Sequence, residues 1–448
     1  MANIVVFGKA QSGKSTLLGY LYSKTKKIFD IFKFEQNMQR ELGNNYEPSY
    51  LYAYIMDETK YERIIKKGTR NVHVRRMPFD SNTNVTIIDT PGVEHHEIPR
   101  QKGVFLGDIG IFCLELKDII SDDFLVSSKE NSTIISNLLL WSNLGHKSII
   151  VALTKCDECN YSEEAYKTAK ERVDLLCGKT KINNVITIPI SIIVSQKKGM
   201  NIVEKSEEFA WYEQNTLYKA LTDQIQSLAY TTKGKLLFSV HNQIDKPSSR
   251  SGKVWMIKII QGEISINDKI KISPVLTKDK EFATIHAEVK TLRHDLHDGE
   301  DDESADTATA GEIVGIDIKN IYCDNNRIDK KTFDTIYTSC GFNDDVEYAS
   351  SDIFCFAIDE KYEECFTEKR EFGLIWFGRK ITFAVCKQPT KENGHLYVTA
   401  KINSRKLSLP INNNGEYYFT KLIIKDENSI NFDNPYYEGR LIRIGEEQ

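Results

Sequence analysis

Residues 8–16 read GKAQSGKST, preceded by NIVVF at 3–7 and followed by LLGYLYSK at 17–24. Gly8 to Ser15 fit the pattern G-x-x-x-x-G-K-[ST]; residues 3–7 form an apolar, β-branched run, and Leu17, Leu18 and Leu21 recur at helical spacing. Strand, glycine-rich loop and helix are the context a phosphate cradle needs. Glycine lets the backbone bend round an anion so that successive N–H groups and the helix N-terminus face the phosphates. The reading assigns Gln11, Ser12, Gly13, Lys14, Ser15 and Thr16 to that cradle. Lys14 adds positive charge near the β- and γ-phosphates, and the Ser15 hydroxyl ligates Mg²⁺.

A phosphate loop alone leaves the base open, and the downstream order decides it. NVTIIDTPG (84–92), GDIGIFCLEL (107–116), SIIVALTKCD (148–157) and NVITIPIS (184–191) each read as a buried strand ending at a loop. Helical stretches such as residues 130–145 and 162–178 fall between them, which predicts an α/β domain with a mostly parallel sheet, helices on both faces and ligand loops at the strand C-termini. Asp89 suits a water-mediated Mg²⁺ contact, and the Gly92 N–H can sense a γ-phosphate. Asp157, in the run Thr154-Lys155-Cys156-Asp157, can accept two hydrogen bonds from guanine N1–H and N2–H₂. Adenine offers no such donor pair. The Lys155 stem lies over the base in this reading, and Ser191 with Ile192 braces the pocket. Short motifs in this order, each at a strand end, select GTP/GDP over ATP.

The length of 448 residues gives a prior of roughly three domains. After about residue 230 the pattern turns to short alternating strands, such as KVWMIKII (253–260) and ATIHAEVKTL (283–292). A second β-rich run follows, with FGLIWFG (372–378) and HLYVTAKI (395–402). Expected domains are therefore 1–230, a nucleotide-binding domain, then two small β-barrels at 231–342 and 343–448. The aromatics of residues 347–366 and 374–377 are expected inside the second barrel. No run approaches ~20 apolar residues, so no membrane partner is expected. A net charge of −5 argues against indiscriminate nucleic-acid binding, and no DNA partner is expected. Nine scattered cysteines without secretory features predict reduced thiols in a cytoplasmic protein, and Cys156 and Cys159 lack the second pair a metal site needs. The acidic run 295–312 reads as a solvated loop. The basic cluster of Lys66, Lys67, Arg70, Arg75 and Arg76 reads equally well as an RNA contact or as solvated surface.

With these residues in place the chain resembles the translational GTPases of the elongation factor Tu/1-alpha type. The likeness also rests on residues 41–63, 138–157 and 188–221, where Gly199, Asn201, Trp211 and Leu217 keep a family-like spacing. It continues in 253–275 and 310–320 and thins in 407–425 and 434–444. The resemblance implies a GTP-dependent switch meeting a ribosome and tRNA or a tRNA-like protein. Two alternatives stand beside it: the GTPase subunit of sulfate adenylyltransferase, and a GTP-locked scaffold that does no chemistry. Departures from the family pattern cluster where water is oriented and the switch closes. The family's histidine after DxPG is Val93 here, with His95 and His96 displaced as weak catalytic candidates. Pro99 sits where the following helix runs, which predicts a short or rebuilt helix. Gln11 replaces an acidic residue, Lys9 a histidine and Thr154 an asparagine, while Thr69 is the nearest switch threonine but out of register. Slow or partner-dependent hydrolysis is the expectation.

Overall fold

ANIVVFG is buried along its whole length because it forms β1 (Ala2–Gly8), an interior strand with parallel neighbours on both sides. The structure, a computed structural model, describes residues 1–26, 29–56, 69–92, 96–121, 124, 128–230, 234–245, 253–294, 304–403, 405–412, 414–418, 420–426 and 436–445. They divide into two units, Met1–Ala229 and Tyr230–Gln448.

In the first unit, β2 (His73–Pro78), β3 (Asn84–Asp89), β4 (Ile109–Glu115), β5 (Ser148–Thr154) and β6 (Asn184–Pro189) join β1 in the order β2-β3-β1-β4-β5-β6. β2 pairs antiparallel with β3, and every other pairing is parallel. The helices are α1 (Lys14–Thr25), α2 (Ile31–Leu42), α3 (Leu51–Met56), α4 (Glu97–Leu106), α5 (Leu116–Ile120), α6 (Ser128–Asn143), α7 (Glu163–Cys177) and α8 (Leu217–Ser227). Parallel pairing brings the C-terminal ends of β1, β3 and β5 to one edge, so Gly8, Asp89 and Thr154 lead into neighbouring loops. Pro99 does not stop α4. The helix starts at Glu97, which puts the proline in the first turn, where its missing N–H costs no helical bond.

Several caps and clamps fix these elements. Asp30 caps α2 by accepting from the Phe32 and Lys33 N–H groups, both at 3.0 Å. Ser162 caps α7 in the same way through Ala165 N. The hydroxyls of Tyr166 and Tyr212 both donate to the Thr187 carbonyl of β6, at 3.1 and 3.0 Å. Trp211 Nε1 donates to Tyr161 O at 2.9 Å. An aromatic group thus anchors the strand that leads to Ser191. Arg75 donates to Ile55 O at 2.6 Å and lies 4.4 Å over the Tyr22 ring, so this member of the basic cluster ties β2 to the neighbouring helices.

The second unit contains two closed β-barrels. β7 (Leu237–Asp245), β8 (Lys253–Gln261), β9 (Lys269–Thr277), β10 (Phe282–Arg293), β11 (Ile313–Cys323) and β12 (Phe333–Asn343) run β10-β9-β12-β7-β8-β11, and β10 pairs with β11 to close the ring. β13 (Ile353–Asp359), β14 (Glu371–Trp376), β15 (Arg379–Val385), β16 (His395–Ile402), β17 (Lys421–Lys425) and β18 (Tyr436–Ile444) run β13-β18-β17-β14-β15-β16, closed by β13 on β16. Closure gives every one of these strands a paired neighbour on both sides. The first barrel packs round Trp255 and Phe238. In the second, Phe354 and Phe356 are buried, as the alternation in the sequence predicts; Phe366 and the consecutive Trp376 and Phe377 are buried too, while Tyr348 and Tyr362 are only half-buried. Of the acidic run, residues 295–303 lie outside the described residues, and 304–312 supply two short strand segments, Ser304–Ala305 and Thr307–Thr309.

Candidate nucleotide-binding site

The loop between β1 and α1 needs its glycines. Gly8 and Gly13 have φ of 145° and 84°, backbone that side-chain-bearing residues rarely adopt. Gly13 is the N-cap of α1 and offers no side chain to the first helical N–H groups, so these donors carry no side-chain cap and suit an anion. Lys14 opens the helix, is buried, and donates from Nζ to Lys9 O at 2.6 Å. Gly92 lies so close that a Cβ there would collide with Lys14 Nζ and the Ala10 backbone. Lys9 itself is exposed and ion-paired with Asp118 at 3.4 Å.

At the start of α1, three oxygens converge. Ser15 Oγ donates to Asp89 Oδ2 at 2.6 Å, Thr69 Oγ1 donates to the same oxygen at 3.1 Å, and the two hydroxyls are 3.1 Å apart. Thr69, out of register by sequence, therefore reaches Ser15 and Asp89 after all. Asp89 is fully buried and its Oδ1 has no hydrogen-bond partner among the described residues. Burial pushes the Asp89 carboxyl up, opposed by the Ser15 hydrogen bond and Lys14. Burial also draws the Lys14 ammonium down, opposed by Asp89. Both groups are poorly solvated in their charged forms, so ligands that stabilise those forms gain most here: an anion at Lys14 and a cation at Asp89.

The other end of the site is built on β5 and the loop after β6. Thr154 is buried, with Oγ1 3.0 Å from Ser12 O and 3.3 Å from Leu114 O, so the hydroxyl at the altered asparagine position still links this strand to the phosphate loop. Lys155 takes φ 56° and pairs through Nζ with Glu115 Oε2 at 2.6 Å. Ser191 Oγ donates to Asp157 Oδ1 at 2.7 Å and accepts from Asp157 N at 2.9 Å, a ring that fixes the carboxylate's orientation. Cys156 is buried with its thiol pushed up by desolvation, and the Cys159 thiol is pushed up too, so neither is poised as a thiolate. No His/Cys/Asp/Glu cluster able to hold a metal occurs among the described residues.

These ends open on one cavity of about 750 Å³, a size suited to a nucleotide. It is lined by Gln11, Gly13, Lys14, Ser15 and Thr16 at one side, and by Thr154, Lys155, Asp157, Ser191 and Ile192 at the other. Gly92 and His96 also line it, whereas Asp89 and Ser12 are buried behind. His96 is the residue before α4 and its side chain caps nothing. Val93 and His95 lie outside the described residues. Sequence reasoning missed Ser49, Tyr50, Ala53 and Val194 in the lining, and Glu115 as the partner of Lys155. Ser49, Tyr50 and Val194 lie in short connecting turns, Ala53 in α3 and Glu115 at the end of β4, and no motif marks any of them as part of a site.

Comparison with known proteins agrees with this geometry. The profile of the elongation factor Tu GTP binding domain matches residues 1–246. Elongation factor 1-alpha of Thermococcus celer is 28% identical over 324 residues, spanning 71% of this chain and 67% of that protein. The S. cerevisiae Ski7 GTPase-like domain bound to GTP has the same fold, with a TM-score of 0.73 at 15% identity over 98% of this chain and 97% of that one. Translation elongation factor SelB of Methanococcus maripaludis with a GTP analogue gives 0.63 at 13% identity, covering 99% and 79%. No helix among the described residues is long and apolar enough to cross a membrane.

Proposed function

Because the chain belongs to the elongation factor Tu GTP-binding family, we propose that it is a translation-factor-like switch that holds GTP with Mg²⁺ and hydrolyses it slowly or only with a partner. One observation carries this reading: Lys14 and Ser15 meet Asp157 and Ser191 across a single cavity, with Asp89 behind the phosphate end. The N–H groups of the Gly13–Thr16 turn and the Lys14 ammonium bind the phosphates. Asp157, held by Ser191, accepts the two guanine donors. The oxygens of Ser15, Thr69 and Asp89 suit a hard divalent cation, and the unpartnered Oδ1 of buried Asp89 is what such an ion, or its water, would satisfy. Mg²⁺, when bound, offsets charge on the β- and γ-phosphates.

Hydrolysis needs a group that orients water, and the residue that follows the DTPG motif is Val93, whose side chain cannot hydrogen-bond. His96 lines the cavity but precedes α4 instead of riding on it. In this reading the chain stays GTP-bound until a ribosome or other partner supplies the missing group, and it acts in the cytoplasm with tRNA or a tRNA-like protein as its cargo. The GTP-locked scaffold reading rests on the same valine, and turnover separates the two.

The test is purified protein with radiolabelled GTP and Mg²⁺, with and without ribosomes. Retained GTP, slow intrinsic turnover and faster turnover with ribosomes are expected. No binding, or preference for ATP, sinks the reading. Brisk unaided hydrolysis lost on changing His95 or His96, but not Val93, sinks the slow-switch part. Turnover absent in both arms leaves the scaffold, and co-purification with a sulfurylase moves the reading to sulfate activation.

A further inference from the structure

Part of the cavity lining comes from none of the phosphate or base motifs. Ser49 and Tyr50, just before α3, and Ala53 in its first turn supply it together with Val194, two residues beyond Ile192 of the base loop. Tyr50 and Val194 pack on one apolar cluster made by Met38, Leu42, Leu51 and Tyr54. A second tie joins the same two segments. Lys197 Nζ pairs with Glu35 Oε2 at 2.9 Å, both side chains mostly buried, and lies 4.9 Å over the Phe32 ring. Tyr46 donates to the other Glu35 oxygen at 2.7 Å. Residues 31–53 are therefore latched to the base loop by an apolar contact and a charged one.

Tyr50 is the unusual member of that lining. Its hydroxyl is buried and has no hydrogen-bond partner among the described residues, a state that costs free energy unless a ligand pairs with it. With guanine's N1–H and N2–H₂ assigned to Asp157 and the phosphates to the loop, guanine O6 and N7 and the ribose hydroxyls still lack a partner, and of these only the ribose hydroxyls can both donate and accept. A phenol can donate to and accept from such a hydroxyl.

We propose that Tyr50 binds the ribose of the nucleotide through its hydroxyl, and that the Glu35–Lys197 pair positions it there, making the α2–α3 segment a clasp that slows nucleotide release. This rests on the guanine-nucleotide reading above.

The test is the dissociation rate of radiolabelled GDP and of 2′,3′-dideoxy-GDP from the full chain. Tyr50→Phe keeps the ring and its packing, so it should release GDP roughly 5- to 10-fold faster than wild type, the loss of one hydrogen bond. Dideoxy-GDP should leave both proteins at the same rate. Glu35→Lys should speed release of both nucleotides, and adding Lys197→Glu should restore slow release if the pair is a latch. Equal GDP release from wild type and Tyr50→Phe overturns the proposal, and so does an equal acceleration of dideoxy-GDP. No rescue in the charge-swapped double variant overturns the latch. Failure of wild type to retain GDP at all overturns the nucleotide reading with it, and that outcome is distinct from the others.

Discussion

In the proposed function Asp157 concentrates base choice in one carboxylate, which Ser191 holds through two hydrogen bonds of 2.7 and 2.9 Å. In the proposed function, Asp157→Asn keeps the side chain's shape but exchanges one acceptor for a donor. Charge-assisted hydrogen bonds contribute about 1.5–3 kcal/mol each, so GTP affinity should fall roughly 100-fold or more. Xanthosine triphosphate, with a carbonyl where guanine has its amino group, should bind the variant better than it binds wild type. Titration calorimetry with both nucleotides checks this. Equal loss of both would point to a collapsed loop. Much of this end of the site is legible in the sequence, because each motif is a short local run ending a strand. Thr69 shows where that legibility stops: its place beside Ser15 depends on the path of the chain before β2, and residue spacing cannot supply it. Tyr50 escaped for a related reason, since only tertiary packing brings the α2–α3 turn onto the loop after β6.

At the level of elements, the docking of α1 on α3 controls the phosphate loop, because α1 carries Lys14 and Ser15. Gly19 sits at their closest approach, where a Cβ would fall inside contact distance of the Tyr52 carbonyl oxygen. Two effects oppose each other in Gly19→Ala. Alanine gains up to about 1 kcal/mol of helix propensity. Overpacking against backbone, which cannot swing aside as a side chain does, costs about 1–3 kcal/mol. The clash should win. A denaturant titration is expected to show net destabilisation of up to about 2 kcal/mol, and increased stability would show that the two helices separate freely. Helical spacing announces α1 but says nothing of how near α3 comes. The latch between α2 and the base loop has a pH dependence with a clear sign. Lys197's hydrogen bond holds Glu35 below the usual carboxylate range, so its contribution is fully present above the ordinary glutamate pKa and is lost as pH falls through the lower folded value.

Across the whole molecule, the barrels show which parts of a β fold can be read in advance. Alternation marks the strands, and the burial of Trp255, Phe354 and Phe356 follows from it. Strand order does not follow, because β12 pairs between β9 and β7 over long stretches of chain that periodicity cannot bridge. Nor does the sequence reveal the buried charge on β11 of the first barrel. Asp317 of β11 accepts from Lys330 at 2.6 Å, from Lys290 at 3.2 Å and from Ile318 N at 2.9 Å, and Lys330 lies 5.0 Å over the Trp255 ring. Asp317 and Lys330 are 3% and 10% exposed at the side chain, so removing the carboxylate takes a counter-ion from an ammonium that water barely reaches. Asp317→Ala should therefore destabilise the barrel by about 3 kcal/mol, while Lys290→Ala, whose own side chain is 38% exposed, should cost far less. Thermal unfolding of both variants tests the ranking, and equal effects would mean that water reaches Lys330.

β18, the last described strand, is seated between β13 and β17 instead of at a margin. A nonsense codon before Tyr436 would remove an interior stave, not a fringe. Two raw margins would open at once, with Phe356 and Ile424 uncovered, so even a late truncation should yield insoluble product instead of a shortened working protein.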